Sequence, residues 1–218
     1  MGLLDRLAPR RSDPAHAPVT AKPVDEPLFA TKALRKLLSA LTTREAPHLL
    51  DLGPVVGTNL SFFGEHLGCR IIVEDIFGEL ERHVRTGKME DLPAFLSRRF
   101  PQADGTVDGI LCWDIIDYLD KASSQALADQ LTRILRPEGV LLGFFGTAPP
   151  RDAHYTKYVI ADETNLKHRP YPALRSRQAT LANRDIIRLF AGLRVSDSFL
   201  MMNNIREILF RKPSYETR

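Results

Sequence analysis

The feature that most constrains the fold is the run of residues 48–75. It opens with a short apolar strand, His48-Leu49-Leu50-Asp51-Leu52-Gly53, followed by a loop that holds Gly53 and Gly57. A helix over 59–66 stops at Gly68, and a second apolar strand, 69–75, ends in the acids Glu74 and Asp75. Strand, glycine-bearing loop, helix and strand form one βαβ unit, and a parallel sheet is the economical way to bury it. The unit recurs further on. Residues 107–113 make a buried strand, and 123–135 a helix with Ala126, Leu127, Leu131, Ile134 and Leu135 on one side. Pro137-Glu138-Gly139 then turns the chain into an apolar strand over 140–145. Between 78 and 100 the pattern predicts two helices, near 79–84 and 92–99, and no convincing strand. A sheet-edge strand is therefore expected to be missing. A helix over 183–190 with Asn183 as N-cap and Gly192 beyond its end leads to two strands, 194–200 and 205–210. The short turn at Asn203-Asn204 makes that pair antiparallel.

Proline placement sets the domain limits. Pro9, Pro14, Pro18, Pro23 and Pro27 are five of the chain's 15 prolines, and they rule out a long helix or central strand in residues 1–27. That stretch reads as a flexible leader, with a short helix at Leu3 to Leu7, and 213–218 as a C-terminal tail. The folding unit is then 28–212, opening on an amphipathic helix over 28–41 that puts Leu34, Leu37, Leu38 and Leu41 on one face. Within it, residues 147–179 form a connection longer than a compact domain ordinarily tolerates, which marks them as a lid or substrate segment. With 44% hydrophobic and 26% charged residues the chain has the composition of a soluble globular protein. No apolar run is long enough to cross a bilayer, and no secretory signal is evident. Cys69 and Cys112 each lie in an apolar run, which favours buried thiols in a cytoplasmic protein over a disulfide scaffold. A net charge of +3 is too mild to indicate nucleic acid.

In a doubly wound sheet, ligands sit beyond the carboxyl ends of the strands, so the chemistry should lie just after each strand. After the first comes the 53–57 loop, where glycine lets backbone approach a ligand. After the second come Glu74, Asp75, Ile76 and Phe77, an acid that can accept ribose hydroxyls beside an apolar cover for a base. After the third come Trp113, Asp114, Asp117 and Tyr118. Each has a plainer rival. Gly53 and Gly57 could serve only a tight turn, and Glu74 competes with Asp75 because adjacent strand residues face opposite ways. Trp113 could be core, and Asp117 and Tyr118 could be surface or helix-start residues. Asp51, inside an apolar strand, is better read as ordering the loop by hydrogen bonds than as a base.

Taken in order, Leu49-Leu50-Asp51-Leu52-Gly53 with Gly57, Asp75, the run Val107-Asp108-Gly109-Ile110-Leu111-Cys112-Trp113-Asp114, and Leu135-Arg136-Pro137-Glu138-Gly139 resemble the motifs of class I S-adenosylmethionine-dependent methyltransferases. The resemblance covers most of 48–210. It implies an α/β, Rossmann-like three-layer sandwich with a mostly parallel, seven-stranded-type sheet, the third strand missing here, and a C-terminal antiparallel hairpin. It also implies S-adenosylmethionine as cofactor, with Asp51, Gly53, Pro54, Val55 and Gly57 under its amino-acid part and Asp75 on the ribose. Ile76 and Phe77 would flank adenine, and Trp113 and Asp114 would lie near the methionine portion. Two departures stand out: Val55 replaces the family's middle glycine, and the third strand has no clear counterpart.

Methyl transfer from a sulfonium is a direct in-line displacement that needs alignment and exclusion of water but no nucleophilic residue or metal. No catalytic side chain is therefore nominated. Trp113-Asp114-Ile115-Ile116 stands where the family carries Asn/Asp-Pro-Pro-Tyr/Phe for planar amino groups, which favours a small-molecule acceptor. Tyr118, His154, Tyr155, His168 and Arg169 are the candidate acceptor residues. From 164 to 178 there are four Lys or Arg and no acid, so the segment could take an acidic acceptor or be a solvated loop. A non-catalytic cofactor-binding or scaffold protein is the alternative. A nicotinamide dehydrogenase fits less well, because Val55 and Thr58 occupy glycine positions of its fingerprint.

Overall fold

The computed structural model describes residues 26–148, 154–178, 180–201 and 204–214. The leader over 1–25, the end of the C-terminal tail and Asn203 of the last turn lie outside the described residues.

Six strands form the main sheet: β2 (His48–Asp51), β3 (Arg70–Val73), β4 (Val107–Trp113), β5 (Leu135–Gly146), β8 (Arg194–Leu200) and β9 (Ile205–Arg211). Their order is β3-β2-β4-β5-β9-β8. The first four run parallel, and β9 and β8 pair antiparallel as the tight turn requires. Among the described residues no strand lies between β3 and β4. Helices α3 (Ile76–Thr86) and α4 (Leu92–Leu96) fill that interval instead, so β3 is a sheet edge.

Every residue of β4 is buried, and its side chains alternate between two cores, one on each face of the sheet. On one face Leu50, Ile110, Cys112, Leu141 and Phe145 meet α3, α4, α5 (Lys121–Ile134) and α6 (Asn183–Leu189). On the other, Leu49, Leu111, Trp113, Leu142 and Phe144 meet α1 (Ala33–Leu41). Three layers result, as expected. Both cysteines are buried and free.

Three expectations need correction. The helix expected from residue 28 begins only at Ala33, because Leu28–Ala30 pairs as strand β1 and the buried Glu207 carboxylate accepts from the Thr31 hydroxyl and the Ala33 N–H. Asn183 is the first helical residue of α6, and Ala182 is its cap. The long connection is no simple loop. It folds into an antiparallel hairpin, β6 (His154–Asp162) and β7 (Asn165–Pro172), which β1 extends into a second, three-stranded sheet. The hairpin packs through Tyr158, Ile160 and Leu166 into the same core as α1, while Tyr155 joins the opposite core.

Candidate functional site

Strand order reverses at β2, whose neighbours are β3 and β4, so a crevice is expected beyond the carboxyl ends of these strands. Asp51, at the end of β2, is 5% exposed. Its Oδ1 accepts from the Gly53 N–H at 2.9 Å and from the Trp113 indole N–H at 2.6 Å. It therefore orders the loop, as its setting in an apolar strand implied. Burial pushes its carboxyl up to about 6, against the opposing pull of the Gly53 and Trp113 N–H groups. The next residues, Pro54 to Gly57, lie toward solvent: Val55 is 62% exposed, and a Cβ on Gly57 would meet nothing within 4 Å. Helix α2 (Gly57–Ser61) follows.

Asp75 caps α3, with Oδ1 accepting from the Gly78 N–H at 2.8 Å. It is half-buried, and its other oxygen makes no hydrogen bond among the described residues. Its rival Glu74 is engaged elsewhere, with Oε2 paired to Arg99 at 2.6 Å. Ile76 and Phe77 are both buried in the core, Phe77 packing on Tyr155 at 4.7 Å between ring centroids. Contrary to expectation, neither offers an open face to a base.

Trp113 and Asp114 likewise face inward. Trp113 is 3% exposed and adopts φ 48°, a left-handed backbone that a bulky residue rarely takes. Its ring stacks on Tyr158 of β6, with centroids 5.1 Å and planes 10° apart. Asp114 is fully buried and accepts from Arg177 at 2.8 Å. Burial raises its carboxyl and Arg177 opposes the rise. Asp117 shares this guanidinium at 3.7 Å and accepts from the Gly146 N–H at 2.7 Å. Burial drives Asp117 up to about 7, with the Gly146 bond opposing and the Asp114 charge adding to the rise. Among the described residues, one buried oxygen each of Asp114 and Asp117 has no hydrogen-bond partner. Beside them, a cavity of about 430 Å³ between α5 and α6 is lined by Ile116, Asp117, Leu119, Leu181 and Leu189.

The residues nominated for an acceptor are scattered. Tyr118 is buried, and its hydroxyl donates to the His154 carbonyl at 2.8 Å, so it anchors the hairpin instead of meeting solvent. Tyr155 is buried beside it. His168 stacks on Phe29 at 4.0 Å, and burial lowers it to about 4, so it is neutral at pH 7. Arg169 makes a bidentate ion pair with Glu26 at 2.6 and 2.8 Å. Tyr158 and Arg177 fall in the basic, aromatic segment expected to close over the site, but sequence reasoning did not nominate them individually. The signal for Arg177 was present: two acids just past a mostly apolar strand require a cation.

No protein-family model matches the sequence, and no curated protein does. Solved structures match in fold. The 1,6-didemethyltoxoflavin-N1-methyltransferase of Burkholderia thailandensis, solved with 1,6-didemethyltoxoflavin and S-adenosylhomocysteine, superposes with a TM-score of 0.50 at 15% identity, covering 84% of this chain and 78% of that one. An S-adenosylmethionine-dependent methyltransferase from Mesorhizobium loti gives 0.52 at 12% identity, over 83% and 96% of the two chains. The PH0226 protein of Pyrococcus horikoshii OT3 gives 0.52 at 17%, over 82% and 88%. The chain has the class I S-adenosylmethionine-dependent methyltransferase fold. No described helix is long and apolar enough to cross a membrane, and no group of three or more metal-ligating side chains occurs among the described residues.

Proposed function

We propose that the protein is a cytoplasmic S-adenosylmethionine-dependent methyltransferase acting on a small-molecule acceptor. The observation that carries this reading is the placement of Asp75 and the 53–57 loop at the carboxyl ends of adjacent parallel strands, where the sheet order reverses. The nucleoside half of the cofactor fits there. Asp75 keeps one carboxylate oxygen for the ribose hydroxyls, and the space over Gly57 is open. The amino-acid half meets Asp51 and Gly53, a place held by the Trp113 side chain in this structure.

S-adenosylmethionine supplies an electrophilic methyl whose bond to sulfur breaks as the acceptor lone pair bonds to carbon. The chain's own part is to bind, orient and exclude water. The cavity beside Asp117, lined by the apolar Ile116, Leu119, Leu181 and Leu189 and by the charged Asp120, Lys121, Asp185 and Arg188, supports a small acceptor, and Asp117, with its carboxyl near 7, is a group there able to exchange a proton at neutral pH. The β6–β7 hairpin contributes as the cover of the crevice.

The ribose assignment is tested by thermal shift with S-adenosylhomocysteine on wild type and Asp75→Asn. The variant keeps the α3 cap, because the amide oxygen still accepts from Gly78, but loses the charged acceptor. The ligand should stabilise wild type and not the variant. Stabilisation by NAD alone would point to a dehydrogenase. A second reading, a non-catalytic cofactor-binding or scaffold protein, is favoured by the indole against Gly53. Turnover on any acceptor excludes it.

A further inference from the structure

Asp51 is a buried carboxylate whose Oδ1 has two donors, the Gly53 N–H and the Trp113 indole N–H. Glycine at 53 allows something to approach its backbone closely, and what approaches is the indole. A Cβ on Gly53 would lie 2.9 Å from both Cδ1 and Nε1 of Trp113. The side chain therefore occupies the ground that the loop leaves for a ligand.

Trp113 is held there against a local preference. Its φ of 48° is strained for an aromatic residue, a conformation that persists only when the surroundings over-determine it. The surroundings are the stack on Tyr158 and an edge contact with Phe144 at 5.6 Å between centroids. Tyr158 is itself fixed by Asn59, whose side chain donates to the Tyr158 carbonyl and accepts from the Ile160 N–H, both at 2.9 Å. The indole is a neutral donor. A cationic amino group offers the same carboxylate a charge-assisted bond, roughly twice as strong. At the nucleoside end of the crevice the space over Gly57 is open, a Cβ there meeting nothing within 4 Å.

We propose that Trp113 is a specificity-determining internal competitor for the donor position at Asp51: a ligand carrying a cationic amino-acid tail binds by displacing the indole, whereas a nucleoside lacking that tail binds with the indole in place. This rests on the cofactor reading above and adds to it a selection between ligand classes. Displacement breaks the stack on Tyr158, which couples the hairpin to occupancy of the site.

Trp113 is the chain's only tryptophan, so its emission reports the displacement directly. The full chain is titrated with S-adenosylhomocysteine and with 5′-methylthioadenosine, binding being read by calorimetry and the indole by emission and acrylamide quenching. The tailed ligand should shift emission to the red and increase quenching, and the tailless one should bind without either change. Trp113→Phe keeps a ring on Tyr158 but removes the N–H. It should tighten S-adenosylhomocysteine by about tenfold, the weight of one lost hydrogen bond, and leave methylthioadenosine unchanged. Trp113→Ala should do the same if the ring itself obstructs. Binding of S-adenosylhomocysteine with unchanged emission, or with wild-type affinity in Trp113→Phe, overturns the proposal. Binding of neither nucleoside to any of the three proteins overturns the cofactor reading, and the competition with it.

Discussion

Trp113, Gly53 and Asp51 form one unit although the tryptophan and the aspartate are 62 residues apart. Gly53→Ala places a methyl group 2.9 Å from the indole, so either the ring moves or the fold is strained. Overpacking of this kind costs about 1–3 kcal/mol, and denaturant unfolding should show that loss together with altered Trp113 emission. Asp117 gives a pH test. Its carboxyl is raised from 3.8 to about 7 on folding, so the unfolded chain releases the proton first as pH rises. The native state then binds more protons, and stability from this group falls between about pH 4 and 7 and is level above that. Asp51, raised to about 6, contributes in the same direction. The melting temperature should drop from pH 5 to pH 7.5, and Asp117→Asn should flatten the drop; an unchanged slope would place the titration elsewhere. The loop-ordering role of Asp51 was legible because a carboxylate in an apolar strand needs donors. Its partner was not, since nothing local in the sequence marks a contact that crosses from one strand end to another.

At the scale of elements, the βαβ units were readable from apolar runs punctuated by glycine, and the boundaries of β4 agree to the residue. The hairpin was hidden by its prolines. Pro170 and Pro172 pair with Thr156 and His154, but β1 reaches β7 only as far as Lys167. Beyond that point β7 is an edge, where a residue without an N–H leaves no ladder bond unmade. Basic residues added to the look of a solvated loop, yet Arg177 is drawn inward by Asp114 and Arg169 is paired with Glu26. The hairpin's attachment depends on Asn59, a buried side chain bonded to two backbone groups of β6. Asn59→Ala leaves both groups unsatisfied, at about 1–3 kcal/mol for each. Faster hydrogen exchange at the Ile160 amide than at β4 amides should accompany the loss, whereas uniform acceleration would mean that hairpin and sheet open together.

For the whole molecule, the six-stranded order β3-β2-β4-β5-β9-β8 keeps the crevice at the β2 switch point while omitting one edge strand. The omission was visible as two helical stretches with no β-rich run between them. What could not be seen was which way each strand-end residue turns, because that is decided by the second sheet. Tyr155 and Tyr158, three residues apart on β6, enter opposite cores; Phe77 packs on the first, and Trp113 stacks on the second with its indole against Gly53. On the proposed reading, Asp75 is the nucleoside site and Asp51 the tail site that Trp113 guards. The most direct measurement is calorimetric titration of the folded chain with S-adenosylhomocysteine. Saturable binding at one site per chain, abolished in Asp75→Asn, is the predicted result. No heat from a sample that melts cooperatively, in wild type and in Trp113→Phe alike, would contradict it.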